Sequence, residues 1–440
     1  MQFSLSDRYV HLVLSKNLAN LVHKVMNIKP SEFQATILSF SFVFLLMIAY
    51  FILRPVRDAM SSDWSDTELS WLWTSTFFFS FLAVSFYGEI ISRFKIKYII
   101  PGVYVFFSFS FIFFYLLSNL ISDPDFLNKL FYVWLSVFSL FHVSVFWSFV
   151  SSLFSNEQAP RLFGFIASGA SIGAIIGPSI PILFVNNLGV MNLLLISAVI
   201  LLIPVPIINK LENLKNQGLS QQDYSNQVTS RELEQDFLSG FKVFLKNPYL
   251  ILIAIFILLY VVMSTFIYFE LRKFLIDFDR ETRTQIWASI DLIVNIVAII
   301  TAVFATSRLV SRFGMSFLLA LIPLIMIGGW MIVALSPFLL VLIGLQIVRR
   351  AGNYAVTKPG REMLFTMFDN ETRYKAKPFI DIVIYRGGDM VTAWFYTLLT
   401  ATYGFGLSLI AIIASFLAAI WAYIGFHLGR KYNDQDDIIK

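Results

Sequence analysis

Six arginines stand where arginine is costly. Arg54, Arg57, Arg272, Arg349, Arg350 and Arg386 fall within or at the edge of long apolar runs, with Lys273 beside them. A guanidinium is planar, stays charged and offers a fork of donors that matches carboxylate and phosphate oxygens, so this set suits recognition of an anion. The carboxylates at comparable depth are Asp58, Glu270, Asp291, Asp381 and Asp389, fewer than the cations. A charge at the middle of a membrane helix costs about 2.5–3.5 kcal/mol on insertion scales, so each needs a partner, a watered cavity or a cargo. Asp58, Asp291, Asp381 and Asp389 are therefore read as pairing or coupling groups. Tyr50, Tyr268 and Trp287 add aromatic faces on which a base could stack. Tyr50, Arg54 and Arg57 share one helical stripe, as do Trp287, Asp291 and Asn295. Arg386 and Asp389, three apart, have the spacing of a helical ion pair. Pro55 removes a donor and disfavours helical geometry at Arg54, which predicts a break in the first helix.

The elements that must position these residues are membrane helices. With 58% hydrophobic and 14% charged residues and a mean hydropathy of +0.74, the 440-residue chain is too apolar for a soluble domain. Spans need about 20 apolar residues. Twelve are expected, at roughly 32–54, 68–90, 98–118, 126–153, 162–184, 187–207, 248–269, 284–306, 314–335, 337–357, 376–399 and 404–427. The net charge of +5 is not a nucleic-acid footprint, because about 23 of the 33 basic residues gather on one side of these spans and about 6 on the other. That asymmetry predicts both termini in the cytoplasm. The chain has no cysteine, so disulfide and thiol chemistry are excluded. His11, His23, His142 and His427 are scattered, which argues against a metal site. No hydrolytic motif is present, and neither an enzyme nor a cofactor is expected.

The chain repeats itself. Tyr50 to Arg54 matches Tyr268 to Arg272 at four of five positions, Ser92-Arg93-Phe94 matches Ser311-Arg312-Phe313, and Asn156-Glu157 matches Asn370-Glu371, at offsets of 218, 219 and 214. A parallel repeat of six spans plus six resembles the plan of the major facilitator architecture, in which two bundles rock about a central site. The predicted fold is thus an all-α membrane protein with a 6+6 repeat. It would comprise an amphipathic segment 1–31, bundles at 32–207 and 248–427, a polar linker 208–247 and a tail 428–440. Gly169, Gly173 and Gly177 predict a close helix contact in the fifth span.

Arg161 to Ile166, Arg361-Glu362-Met363-Leu364-Phe365, Lys375-x-Lys377, Ile380-Asp381 and Tyr385 to Asp389 resemble the ATP:ADP antiporter family. The likeness runs from the first span to the eleventh and is nearest to the uncharacterised bacterial members. It implies a monomeric inner-membrane carrier that exchanges nucleotides without covalent chemistry. Arg57-Asp58 stands where the characterised exchangers carry a Lys-Asp pair, so charge is kept and geometry is not. The alternative functions are a proton-coupled facilitator for another solute, and a non-transporting membrane protein that binds a partner through its cytoplasmic face.

Overall fold

In a bilayer every backbone group must be satisfied within the chain, so long apolar runs become helices. The computed structural model describes residues 28–439 except 94–95, 122, 156, 217–243, 245–246, 305 and 369–379. It is all-helical, with no strand among the described residues. We number the helices α1 Pro30–Met60, α2 Asp66–Arg93, α3 Ile96–Ser118, α4 Asp125–Ser151, α5 Ala159–Leu188 and α6 Asn192–Leu214. The second set is α7 Pro248–Phe274, α8 Arg280–Phe304, α9 Thr306–Leu335, α10 Leu339–Met367, α11 at 380–402 and α12 Leu407–Ile439.

Eleven of these, all but α11, are long and apolar enough to cross a membrane. α11, expected as a span like the others, carries Asp381, Arg386 and Asp389. It joins a π-helical run Ile380–Gly387, an α-helical run Gly388–Thr397 and a second π-helical run Leu398–Thr402. Large apolar side chains such as Phe86, Phe416 and Tyr423 are exposed around the bundle, as a lipid-facing surface requires.

Local signals set the helix ends. Ser65 and Glu68 cap α2 reciprocally, Ser65 N donating to Glu68 Oε2 (2.9 Å) and Glu68 N to Ser65 Oγ (3.2 Å). Asp279 caps α8 by accepting from Thr282 N (2.7 Å), and this donor holds its carboxyl below the usual range. Asn247 accepts from Tyr249 N (3.0 Å) just ahead of Pro248, an N-cap followed by proline at the first helical position.

Two expectations are corrected. α1 does not break at Pro55 but runs unbroken to Met60; Ile52, Leu53 and Val56 are fully buried on both sides of the proline, and packing carries the helix past one missing donor. The linker expected at 208–247 begins later, because α6 continues to Leu214, burying Pro204, Ile208 and Leu211 at helical spacing. Most of the expected linker, and the amphipathic segment 1–31 up to residue 27, lie outside the described residues.

α5 packs on α1 through its glycines. A Cβ at Gly169 would lie 2.6 Å from the Phe40 carbonyl oxygen and one at Gly177 would lie 2.7 Å from Phe51 Cβ; at Gly173 it would collide with the Phe44 carbonyl. This contact holds α1, the helix with Arg54 and Arg57, in place. Gly173→Val should therefore lower the stability of the detergent-solubilised protein by about 1–3 kcal/mol, the cost of overpacking. Gly164→Ala, where nothing lies within 4 Å, should leave the thermal melt unchanged or slightly raised.

Candidate functional site

Helix α1 presents its charges to a line of partners. Arg57 donates to Asp58 Oδ1 through Nη2 (2.6 Å) and Nε (3.0 Å), and reaches Ser136 Oγ of α4 (3.3 Å). Arg54 lies 3.7 Å from Asp58 Oδ2 and 3.7 Å from Asp291 Oδ1 of α8. Asp291 is also 2.5 Å from Arg350 of α10. Arg57, Asp58, Arg54, Asp291 and Arg350 thus alternate in charge from α1 to α10, tight at both ends and loose around Arg54.

Beside this line lies a cavity of about 330 Å³ whose wall comes from α1, α2, α4, α7, α10 and α11. Of the residues singled out in the sequence, Tyr50, Arg54, Arg57, Asp58, Tyr268, Arg349, Arg386 and Asp389 line it. Four guanidiniums face two carboxylates there. Tyr50 stacks on His142 (centroids 4.3 Å apart). Arg349 donates to Tyr260 OH and Gln346 Oε1, both at 2.8 Å. Arg386 and Asp389 form no ion pair with each other, although their spacing predicted one; the π-helical run ends at Gly387 between them and changes the register.

Four of the singled-out residues sit elsewhere. Asp291 (1% exposed) and Arg350 (3%) are buried behind the wall. Trp287 is buried against Tyr268, 5.3 Å between centroids. Arg272 is 1% exposed and binds the turn between α1 and α2, as described below. The side chain of Asp381 lies outside the described residues. The sequence reading missed Trp73 and Phe77 of α2, Tyr132 and Ser136 of α4, and Ser264 of α7. Each is a single aromatic or hydroxyl residue in an apolar run, and no charge marks it.

The end of the bundle away from the termini is closed by charge. Arg272 donates to the carbonyls of Ser61 (3.2 Å) and Trp64 (2.6 Å) and pairs with Asp66, which also binds Lys273 (3.0 Å). Asp63 pairs with Arg280 (2.7 Å) and Arg283 (2.5 Å). Ser70 Oγ and Thr397 Oγ1 meet at 2.7 Å in the same layer. The pairs of Asp63 and Asp66 each join a carboxylate of the first half to a cation of the second, while Lys129 binds Glu68 and Asp125 (both 2.7 Å) within the first half. Among the described residues, ion pairs between the halves occur only at this end and at Arg54–Asp291.

A polar cavity walled by helices of both halves of the chain, with ion pairs joining those halves at one end, is the arrangement a membrane transporter needs. The Major Facilitator Superfamily model matches residues 39–354, and the chain belongs to that superfamily. No curated protein sequence matches it. Among solved structures it is similar to the nucleoside transporter NupG, with a TM-score of 0.64 and 15% identity over 91% of this chain and 99% of that one. An inward-facing bacterial homolog of the human lysosomal transporter Spinster gives 0.56 and 12%, over 92% and 98%. A bacterial metal transporter gives 0.60 and 13%, over 91% and 99%. At these identities the likeness is one of fold.

Removing one member of a buried pair strands the other. Asp291→Asn should destabilise the protein by about 3–5 kcal/mol in thermal unfolding, because Arg350 loses its counter-charge. Asp291→Asn combined with Arg350→Gln should recover much of that loss.

Proposed function

We propose that this transporter moves a phosphorylated organic anion of the nucleotide type by alternating access, exchanging it across a bacterial inner membrane with both termini in the cytoplasm. The observation that carries this reading is the cavity wall, where Arg54, Arg57, Arg349 and Arg386 outnumber Asp58 and Asp389 among aromatic rings. Its size, about 330 Å³, falls within the range of about 300–1,000 Å³ usual for small-molecule sites. Guanidiniums would take phosphate oxygens as bidentate partners. Tyr354, 44% exposed although it lines the cavity, offers a ring to a base, as do Tyr50 and Tyr385. The resemblance to ATP:ADP antiporters and the fold likeness to a nucleoside transporter support the same cargo class.

In this reading the closed end is the outer one, and the two bundles, proposed to span 32–207 and 248–427, rock about the cavity to open it. Buried Asp291 and Arg350 would brace Arg54 from behind, and Arg272 would serve the seal. A single chain holds the whole wall, which supports a monomer as the working unit. One observation favours a second reading: Asp389 lines the cavity with no ion pair or hydrogen bond to any described residue. A proton carried there would couple anion movement to a pH gradient.

Proteoliposomes loaded with ADP and offered labelled ATP test the first reading. Uptake should depend on internal ADP and should fall about tenfold or more in Arg54→Ala and Arg57→Ala, as expected when hydrogen bonds to charged groups are lost. Folded protein that moves no nucleotide in either direction overturns it. Uptake driven by an imposed pH gradient and abolished in Asp389→Asn would favour the second reading.

A further inference from the structure

Tyr268 is the point at which the second half reaches into the polar lining of the first. Trp73 Nε1 of α2 donates to Tyr132 OH of α4 (2.9 Å), and the Tyr132 and Tyr268 hydroxyls lie 3.2 Å apart. Tyr268 OH then donates to Asp58 Oδ1 of α1 (3.3 Å). That oxygen is the one Arg57 holds at 2.6 Å. Trp73, Tyr132 and Asp58 all belong to the first half, so one hydroxyl from α7 completes a ring of groups on the other bundle.

The ring lies one helical turn from the closed end. Tyr268 is four residues before Arg272 on α7, and Asp58 of α1 is three and four before Ser61 and Ser62 in the 3-10 turn that follows α1. Arg272 donates to the Ser61 carbonyl (3.2 Å), and Ser62 Oγ donates to the Arg272 carbonyl (2.9 Å). The same two helices therefore touch at two successive levels, first at the arginine face and then at the seal.

We infer that Tyr268 is a positioning residue that reports occupancy of the arginine face to the seal. An anion seated on the Arg57 fork carries the same sign as Asp58 and repels it. Asp58 Oδ2 already faces Arg54 at 3.7 Å, so the carboxylate swings toward Arg54 and away from Tyr268. Tyr268 loses its charged acceptor, and α7 is then held to α1 only by the layer at Arg272. An empty site keeps the ring closed and the seal shut. The device rests on the anion reading only for the chemical class of what binds Arg57.

The absence of cysteine makes a direct test available. Ser70→Cys is nearly isosteric and places one thiol in the seal, where Ser70 is fully buried. Its rate of labelling by a maleimide, measured on the purified chain in detergent without any ligand, reads how often the seal opens. Tyr268→Phe keeps the ring packed on Trp73 and Trp287, with centroids at 5.7 and 5.3 Å, and removes only the hydroxyl. It should raise the labelling rate about tenfold, the size expected for a hydrogen bond to a charged acceptor. Asp58→Asn should raise it in the same direction. The double variant should label no faster than the quicker single one, because both remove the same link.

An unchanged rate in Tyr268→Phe, with an unchanged melting temperature, overturns the inference. So does a double variant whose effect is the product of the two, which is the behaviour of two independent structural defects. Adding ATP to the Ser70→Cys chain should speed labelling, and Tyr268→Phe should erase that response. If ATP has no effect while the Tyr268→Phe and double-variant results hold, the link stands and nucleotide as the cargo falls.

Discussion

A guanidinium buried among membrane helices needs a counter-charge, a polar partner or a watered cavity, and the rest of this site follows from how few carboxylates are supplied. Asp58 and Asp291 between them serve Arg57, Arg54 and Arg350, so the middle arginine is shared. Sharing divides the attraction: the end pairs are at 2.6 and 2.5 Å while both contacts of Arg54 are at 3.7 Å. Electrostatic energy falls with distance and with the water a cavity admits, so the loose middle is where the proposed anion would compete best. It is also where an ion pair joins the two halves of the chain away from the Arg272 layer. The constraint that makes arginine expensive here thus leaves Arg54 both wetted and incompletely satisfied.

The internal repeat gives α1 and α7 nearly the same five residues, and yet Arg54 and Arg272 do opposite things. After Arg54, α1 supplies its own carboxylate one turn on, at Asp58, and the pair can stay at the cavity. After Arg272, α7 supplies Lys273 and ends at Phe274, with no acid at the matching position. Arg272 must find its partner on the other bundle, and Asp66 in the first turn of α2 provides it together with two turn carbonyls. Matched sequence therefore produced matched helix positions but not matched roles, because the role of a charge is decided by what faces it.

The same distinction governs what could be read without coordinates. Apolar period and length fixed the helices, since a bilayer leaves the backbone no alternative. The polar stripe read on α1, Tyr50, Arg54 and Arg57, lies along the cavity, and Asp58 and Asp291 were legible as pairing groups for arginines. Illegible was which face of a polar helix turns to the cavity: Arg349 lines it and Arg350, one residue on, is buried against Asp291. Consecutive residues on a helix point about 100° apart, and sequence gives no absolute rotation. Tyr132 and Trp73 were invisible for another reason. An aromatic residue in a membrane span carries no mark that separates a lipid contact from a cavity wall. Asp63 and Asp66 lie between two expected spans and went unremarked, because the cations that bind them sit more than 200 positions away.

The two walls of the cavity also differ in backbone type. On the first half, Arg54 and Arg57 sit on a continuous helix clamped by glycine contacts to α5, and its proline leaves the helix unbroken. On the second half, Tyr354, Tyr385 and Arg386 sit in π-helical runs of α10 and α11, at Asn353–Thr357 and Ile380–Gly387. Single π-helical turns inside α-helices are rare and occur mostly at functional sites. The irregular backbone is thus on the wall that contributes Tyr354, Tyr385 and Arg386, while the α1 wall is a continuous helix. Under the proposed anion transport, the arginine pair on the continuous helix would define the seat, and the wall with the π-helical runs would be the one to close over the cargo.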